Sequence, residues 1–174
     1  MRSPLTVRPA RTDDADAMAS VHVESWQQTY QGLMRDEVLN DPGMFPARRR
    51  FWNAVLTDER YRSFRAAVAE ADGAVVGIAL AGPGTEPDVA WDAQLYVLYL
   101  LEAFHGSGAG RRLMDTVLPV GDAAGLWVAD PNPRAQAFYA KQGFEADGES
   151  KVEDGVSEVR LVRAPGSLAP GRST

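Results

Sequence analysis

Leu95-Tyr96-Val97-Leu98-Tyr99-Leu100-Leu101-Glu102-Ala103-Phe104-His105-Gly106-Ser107-Gly108-Ala109-Gly110-Arg111-Arg112-Leu113-Met114 carries an apolar strand into three spaced glycines and then a helix. Glycines at 106, 108 and 110 let the backbone turn tightly and leave its N–H groups unobstructed. The helix expected to start near Arg111 points a partial positive charge of about +0.5 at the same place. Strand, glycine turn and helix N-terminus together read as a cradle for phosphate.

The spacing separates the kinds of cradle. A P-loop ends Gly-Lys-Ser/Thr, whereas this loop ends Gly-Arg-Arg. A dinucleotide fingerprint needs Gly-x-Gly-x-x-Gly. Counting from Gly106 puts Arg111 in the third place, and counting from Gly108 puts Leu113 there. Asp130 stands about as far downstream as a ribose-binding acid should, which leaves a dinucleotide enzyme as a rival that predicts NAD binding. The third pattern is Gln/Arg-x-x-Gly-x-Gly/Ala, which His105-Gly106-Ser107-Gly108-Ala109-Gly110 follows except at its first residue. Downstream, Leu126 to Ala129 reads as a strand, and Asn132-Pro133-Arg134-Ala135-Gln136-Ala137-Phe138-Tyr139 leads to Gly143-Phe144.

Those two stretches, in that order, resemble the loop and the later motif of the GNAT superfamily of N-acetyltransferases. Val21 to Gly32 resembles the first helix of its small-molecule members, so the likeness spans nearly the whole chain except its last dozen residues. The resemblance implies an α/β (α+β) GNAT fold, a central mixed and mostly antiparallel sheet flanked by helices. In that fold the strand before the glycine loop and the strand near Trp127 splay apart, and the pantetheine arm of acetyl-CoA enters the gap.

Composition narrows the class independently. The chain has 174 residues, enough for one domain with a single core, expected over 1–163. The Pro-, Gly- and Ser-rich tail from Ala164 to Thr174 is expected to be disordered. There is no cysteine, so no disulfide, thiolate metal site or cysteinyl acyl-enzyme can form. The two histidines, His22 and His105, are far apart, and no metal is expected. Eighteen basic against 24 acidic residues give a net charge of −6, which argues against nucleic acid as a partner. No run approaches the ~18 apolar residues of a membrane span, and residues 1–14 lack the apolar core of a signal peptide, so a cytoplasmic protein without a membrane partner is expected.

Periodicity supplies the elements. Leu5 to Arg8 alternates as a strand, and Thr12 with Asp13 and Asp14 reads as the cap of a helix running to Tyr30. Asp36 to Asn40 and Pro46 to Leu56 read as helices, the latter with Arg48, Arg49 and Arg50 mostly outward. Phe64 onward alternates, and Asp72-Gly73 marks a hairpin with Val75 to Leu80. A strand from about Asp88 to Leu101 precedes the glycine loop, and its helix runs to about Leu118. Strand 126–129, helix 133–142 and strands 144–149 and 156–163 complete the chain.

The resemblance assigns roles residue by residue. Acetyl-CoA carries about four phosphate charges, which an acidic protein must meet with local donors. The main chain from Gly106 through Ser107, Gly108, Ala109 and Gly110 to Arg111, introduced by His105, would meet them. Arg111, Arg112 or Arg134 would pair with the 3′-phosphate, or else with water and nearby acids. Main-chain groups of Leu98, Tyr99, Leu100 and Leu101 would pair with pantetheine, and the N–H of Leu100 or Leu101 would polarise the thioester carbonyl. Asn132 matches the residue that steadies pantetheine, and Asn-Pro equally reads as a helix N-cap. Ala135 and Phe138 lie in the same motif, and Tyr139 matches the tyrosine that protonates the leaving thiolate.

The acceptor is expected to be a small-molecule amine. An amine of pKa ~10.4 loses its proton at pH 7 at a cost of about 4 to 5 kcal/mol, so a base is needed. Many members carry a glutamate eleven residues before the loop's first residue, where this chain has Gln94. An amide is not a useful base. Asp92, expected on the strand face of Gln94, or Glu24, near Trp26 and Tyr30 in the acceptor pocket, would take the proton through water, with Gln94 orienting the substrate. The alternative is a GNAT-fold acyl-CoA sensor with little or no turnover. A homodimer, common in the family, has no interface legible in the sequence.

Overall fold

The structure is a computed structural model that describes residues 4–87 and 89–167. The chain resolves into two compact units, one comprising residues up to Gly82 with Val97–Val117, the other Pro83–Tyr96 with Leu118 onward. Among the described residues seven strands form a mixed, mostly antiparallel sheet flanked by helices, as expected. One strand, β4 (Ala93–Leu100), contributes its first half to the second unit and its second half to the first.

In the first unit the strand order is β1 (Thr6–Pro9), β2 (Arg65–Ala71), β3 (Ala74–Pro83), β4. β2 and β3 pair antiparallel from Arg65↔Ala81 to Ala71↔Ala74. The Asp72-Gly73 turn between them takes φ of 51° and 79°. Two consecutive positive φ values make the primed turn whose twist matches the strands, which is why Asp-Gly signalled it.

Helices α1 (Ala15–Tyr30), α2 (Asp36–Leu39) and α3 (Met44–Thr57) precede the hairpin, and α4 (Ala109–Val117) follows β4. α1 buries Ala15, Met18, Ala19, His22 and Ser25, the i, i+3, i+4, i+7 rhythm of one helical face. These residues share a core with Trp52 and Val55 of α3 and Val68, Ile78, Leu80 and Val97 of the sheet. Trp52 is fully buried, and removing its ring would cost about 3 to 5 kcal/mol.

The entry to α1 differs from the expected cap. Thr12–Asp14 forms a short 3-10 turn, and the Asp14 carboxylate, not Thr12, accepts the Arg11 backbone N–H at 2.7 Å. Arg8 donates both guanidinium nitrogens to Asp14, at 2.8 and 2.9 Å, and reaches Glu70 at 2.6 Å. The Arg8 hydrogen bonds hold the Asp14 carboxyl below the ordinary carboxylate range. A charge-assisted fork outcompetes a lone hydroxyl cap, and nothing local in the sequence announces it.

In the second unit the order is β4, β5 (Ala124–Ala129), β7 (Val156–Arg163), β6 (Glu145–Glu153), with α5 (Pro133–Lys141) between β5 and β6. β5–β7 and β6–β7 are antiparallel. The parallel β4–β5 ladder covers Ala93↔Ala124 and Gln94↔Gly125 among the described residues. A second Asp-Gly turn, Asp154 and Gly155 with φ 51° and 78°, closes the β6–β7 hairpin and extends β6 beyond the expected Glu149. Arg163 is buried, and its guanidinium donates to the carbonyls of Asp122 at 2.9 Å and Pro119 at 3.1 Å.

Three boundaries move. The strand expected from Asp88 begins at Ala93, Asp88 itself lying outside the described residues, because Gly84 N–H bonds the Asp92 carbonyl at 2.8 Å and closes a loop there. Helix α3 starts at Met44 and takes Pro46 into its first turn, where a missing N–H costs nothing. Of the tail, residues 164–167 are described, with Gly166 N–H on the Gly121 carbonyl at 2.7 Å; residues 168–174 lie outside.

Candidate active site

The first unit holds the glycine loop. Gly106 and Gly108 have φ of 79° and 81°, a left-handed conformation that a Cβ resists, and a Cβ at either would meet nothing within 4 Å. Glycine is needed there for conformation, and the space before the loop is open. Ser107 N–H bonds the Phe104 carbonyl at 3.3 Å, and Ser107 Oγ accepts from Ala109 N–H at 3.3 Å. Helix α4 starts at Ala109, not Arg111, because this hydroxyl satisfies its first amide. Arg112 N–H bonds the Gly108 carbonyl at 3.3 Å, so the Gly110 and Arg111 amides precede the i→i−4 ladder and are available to an anion.

His105 ties the loop to the strand. Its Nε2 stands 2.7 Å from the Leu100 carbonyl, which can only accept, so Nε2 donates. Its Nδ1 is buried without a hydrogen-bond partner among the described residues. A cavity of about 300 Å³ lies beside the loop, lined by Leu5, Asp72, Phe104, His105, Gly106 and Ser107. Arg112 donates to the Leu5 carbonyl at 3.1 Å, and Arg111 lies 3.7 Å from Asp115 on the same helix.

Leu101 N–H bonds the Val76 carbonyl of β3 at 2.9 Å. Strand alternation then puts the N–H groups of Leu98 and Leu100 on the opposite edge from β3. Of the two amides expected to polarise a carbonyl, Leu101 is already bonded and Leu100 is the candidate. Tyr99 points to the helical side, its ring centroid 5.3 Å from that of His22.

On α1, the Trp26 and Tyr30 rings lie 5.7 Å apart. Glu24 is exposed and accepts from Gln28 Nε2 at 3.4 Å, while Gln28 Oε1 accepts the Glu102 N–H at 3.2 Å. His22 is 4% exposed, and its Nδ1 accepts the Trp52 indole N–H at 3.1 Å. Burial, with a smaller contribution from Arg48, lowers its pKa to about 3.

The second unit holds the remaining candidates. Asn132 caps α5, its side-chain oxygen accepting Ala135 N–H at 3.2 Å, with Pro133 at the first helical position. The bonded Oδ1 keeps a second lone pair, so the cap and a ligand contact are compatible. Arg134 is exposed, and Tyr139 is buried between Phe138 and Phe144, with ring centroids at 5.3 and 5.9 Å.

Gln94 sits in β4 beside Gly125, and its Oε1 is buried without a hydrogen-bond partner among the described residues. Asp92 is exposed and lies outside the strand, so the expected shared strand face with Gln94 does not hold. The sequence reading passed over Trp91. Its ring covers Gly125, where an added Cβ would come within 2.4 Å of the indole. A glycine inside a strand is the signal that would have drawn attention to such a close approach. Arg160 lies over Trp91 at 5.0 Å and Trp127 at 5.8 Å, and pairs with Glu86 and with Asp147 at 2.7 Å.

Among the described residues, no group of three or more His, Asp or Glu side chains could hold a metal ion, and no helix is long and apolar enough to cross a membrane.

A mixed sheet whose parallel strand β4 runs into a glycine loop at a helix N-terminus is an α/β fold with an anion cradle at the end of that strand. Residues 18–144 match the Acetyltransferase (GNAT) family, and the chain belongs to that family. It is 31% identical over 164 residues to the uncharacterized N-acetyltransferase YuaI of Bacillus subtilis, covering 90% of this chain and 88% of that one. It is 29% identical over 156 residues to the probable N-acetyltransferase Rv2775 of Mycobacterium tuberculosis, covering 84% and 83%. Among solved structures, the PaiA N-acetyltransferase of Thermoplasma acidophilum, in complex with coenzyme A, superposes with TM-score 0.68 at 19% identity, covering 91% of this chain and 98% of that one. A protein from Corynebacterium glutamicum described as histone acetyltransferase HPA2 and related acetyltransferase gives TM-score 0.69 at 20% identity over 98% of this chain. At these identities the two structures share the fold.

Proposed function

We propose that the protein transfers an acetyl group from acetyl-CoA to a small primary amine by direct attack, working as a single GNAT domain. The observation that carries the reading is the loop at 105–111. Gly106 and Gly108 adopt left-handed φ, both face open space, and the Gly110 and Arg111 amides sit at a helix N-terminus. The residues fit a pyrophosphate: amide donors and a partial positive charge, with Arg111 and Arg112 adjacent for a further phosphate. The coenzyme A bound by the Thermoplasma relative supports the same donor here.

The donor supplies a thioester, and this chain's groups do the rest. The Leu100 N–H polarises the thioester carbonyl. The amine nitrogen bonds the carbonyl carbon, the C–S bond breaks, and the sulfur takes the Tyr139 phenolic proton. The amine's surplus proton leaves through water toward Asp92 or Glu24, and Gln94 orients the nitrogen. Thiol and phenol have ordinary pKa values near ~8.5 and ~10, so this transfer runs about 1.5 units uphill, about 2 kcal/mol, and is completed as the Tyr139 phenolate takes a proton back from solvent.

Release of free CoA from acetyl-CoA, with and without a panel of amines, tests the reaction, alongside calorimetric binding of acetyl-CoA. Tyr139→Phe should lower kcat at least tenfold while acetyl-CoA binding stays within about twofold. Equal kcat in the variant would remove Tyr139 from the mechanism. Gln94 in place of the family's glutamate favours a second reading, an acyl-CoA sensor, for which binding without CoA release under any amine is the signature.

A further inference from the structure

We propose that Trp91 and Gln94 form a donor–acceptor pair that selects the acceptor substrate, admitting primary amines that carry a hydroxyl or carbonyl oxygen a few bonds from the nitrogen. The proposal rests on the amine-acetylation reading and names its substrate class.

Both atoms concerned lie in the second unit. Trp91 Nε1 and Gln94 Oε1 are buried, and neither has a hydrogen-bond partner among the described residues. Buried polar groups are almost always paired, so a neighbouring orphan donor and orphan acceptor call for an explanation. The other interior indoles show the ordinary case. Trp52 Nε1 donates to His22 at 3.1 Å, and Trp127 Nε1 donates to Glu86 at 2.6 Å.

The ladder puts the two orphans on one face. Gln94 pairs with Gly125 across the parallel strands, which lie ~4.8 Å apart. Paired residues of a parallel ladder project to the same face. A Cβ on Gly125 would lie 2.5 Å from Trp91 Nε1, so the indole N–H edge occupies the face toward which the Gln94 side chain projects. The same nitrogen is 3.8 Å from where a Cβ on Gly84 would sit, so two glycines make room for it. Arg160, held by Glu86 and Asp147, lies over the Trp91 ring at 5.0 Å and steadies it. Trp91 and Gln94 each keep part of the residue exposed, while the two polar atoms themselves are buried.

The pair's chemistry specifies its ligand. Gln94 Oε1 accepts an N–H of the substrate amine, which fixes the nitrogen while its lone pair stays free for attack. Trp91 Nε1–H donates to an oxygen on the same molecule. A purely hydrocarbon amine satisfies Gln94 and leaves the indole N–H unpaired, and sites built around a hydrogen bond discriminate strongly against analogues that lack it.

The test uses 2-aminoethanol and glycinamide as oxygen-bearing probes and n-propylamine as the hydrocarbon control. The Trp91 indole N–H resonance, assigned by its loss in Trp91→Phe, is followed by 15N–1H NMR as each amine is added. It should move with 2-aminoethanol or glycinamide and stay in place with n-propylamine. In CoA-release assays, Trp91→Phe should reduce the ratio of kcat/KM for 2-aminoethanol over n-propylamine about tenfold. Gln94→Leu, which leaves the ring intact, should raise KM for both amines. An indole resonance that ignores all three amines, or moves equally with all, overturns the pair, as does a kcat/KM ratio unchanged within twofold. Failure of acetyl-CoA binding or of CoA release would instead overturn the acetylation reading, and the indole resonance would still decide the pair.

Discussion

Acidification should destabilise the fold through His22, and the amount follows from its surroundings. The imidazole is 4% exposed and accepts the Trp52 indole N–H through Nδ1; its burial, with a smaller contribution from Arg48, holds its pKa at about 3 against 6.5 in the unfolded chain. A base that resists protonation when folded leaves the unfolded state to bind the proton. Stability from this group is therefore intact above pH 6.5 and is lost as the pH falls from 6.5 toward 3. At pH 5 the loss is 1.36 kcal/mol per unit over 1.5 units, about 2 kcal/mol, a sizeable share of a typical domain's stability. Asp14, held below its ordinary 3.8 by Arg8, loses its contribution only at lower pH. Glu158, whose pKa burial raises from 4.5, titrates closer to the window but is common to wild type and variant. Urea unfolding of the wild type and of His22→Asn at pH 7.5 and 5.0 isolates the term, because Asn keeps an acceptor for Trp52 and has nothing to titrate. The wild type should lose about 2 kcal/mol more than the variant over that interval. Losses equal within about 0.5 kcal/mol would refute the assignment of His22 as a buried, uncharged base.

Two further outcomes follow from the site. Replacing Asp92 and Glu24 together by Asn and Gln should lower kcat/KM at least tenfold and flatten the acid limb of its pH profile, and an unchanged profile would send the amine's proton elsewhere. Gly125→Val should destabilise the protein by about 1 to 3 kcal/mol in a denaturant melt, because its Cβ meets the Trp91 ring at 2.4 Å; a neutral effect would mean the indole moves aside freely.

What the sequence determined by itself is chemistry that depends on neighbours in the chain. The Asp72-Gly73 hairpin was legible because two adjacent residues must take positive φ, and Asn132-Pro133 because an N-cap needs an oxygen and an N1 without a donor. The glycine loop was legible for the same reason, and with the Asn132–Tyr139 motif it was enough to place the chain in its family. The run of α1 to Tyr30 was legible from helical period.

Tertiary structure decided everything that depends on residues far apart in the chain. Arg8 reaching Asp14 and Glu70 replaced the local Thr12 cap, and Val76 took the Leu101 amide and left Leu100 as the candidate. Asp92 fell outside the strand because Gly84 closes a loop onto its carbonyl. Trp91 showed itself only when the ladder set Gln94 beside Gly125 and the indole covered Gly125. Local sequence fixes backbone preference over a few residues, whereas register and burial are settled by the whole chain at once, and the atoms left without partners emerge only then.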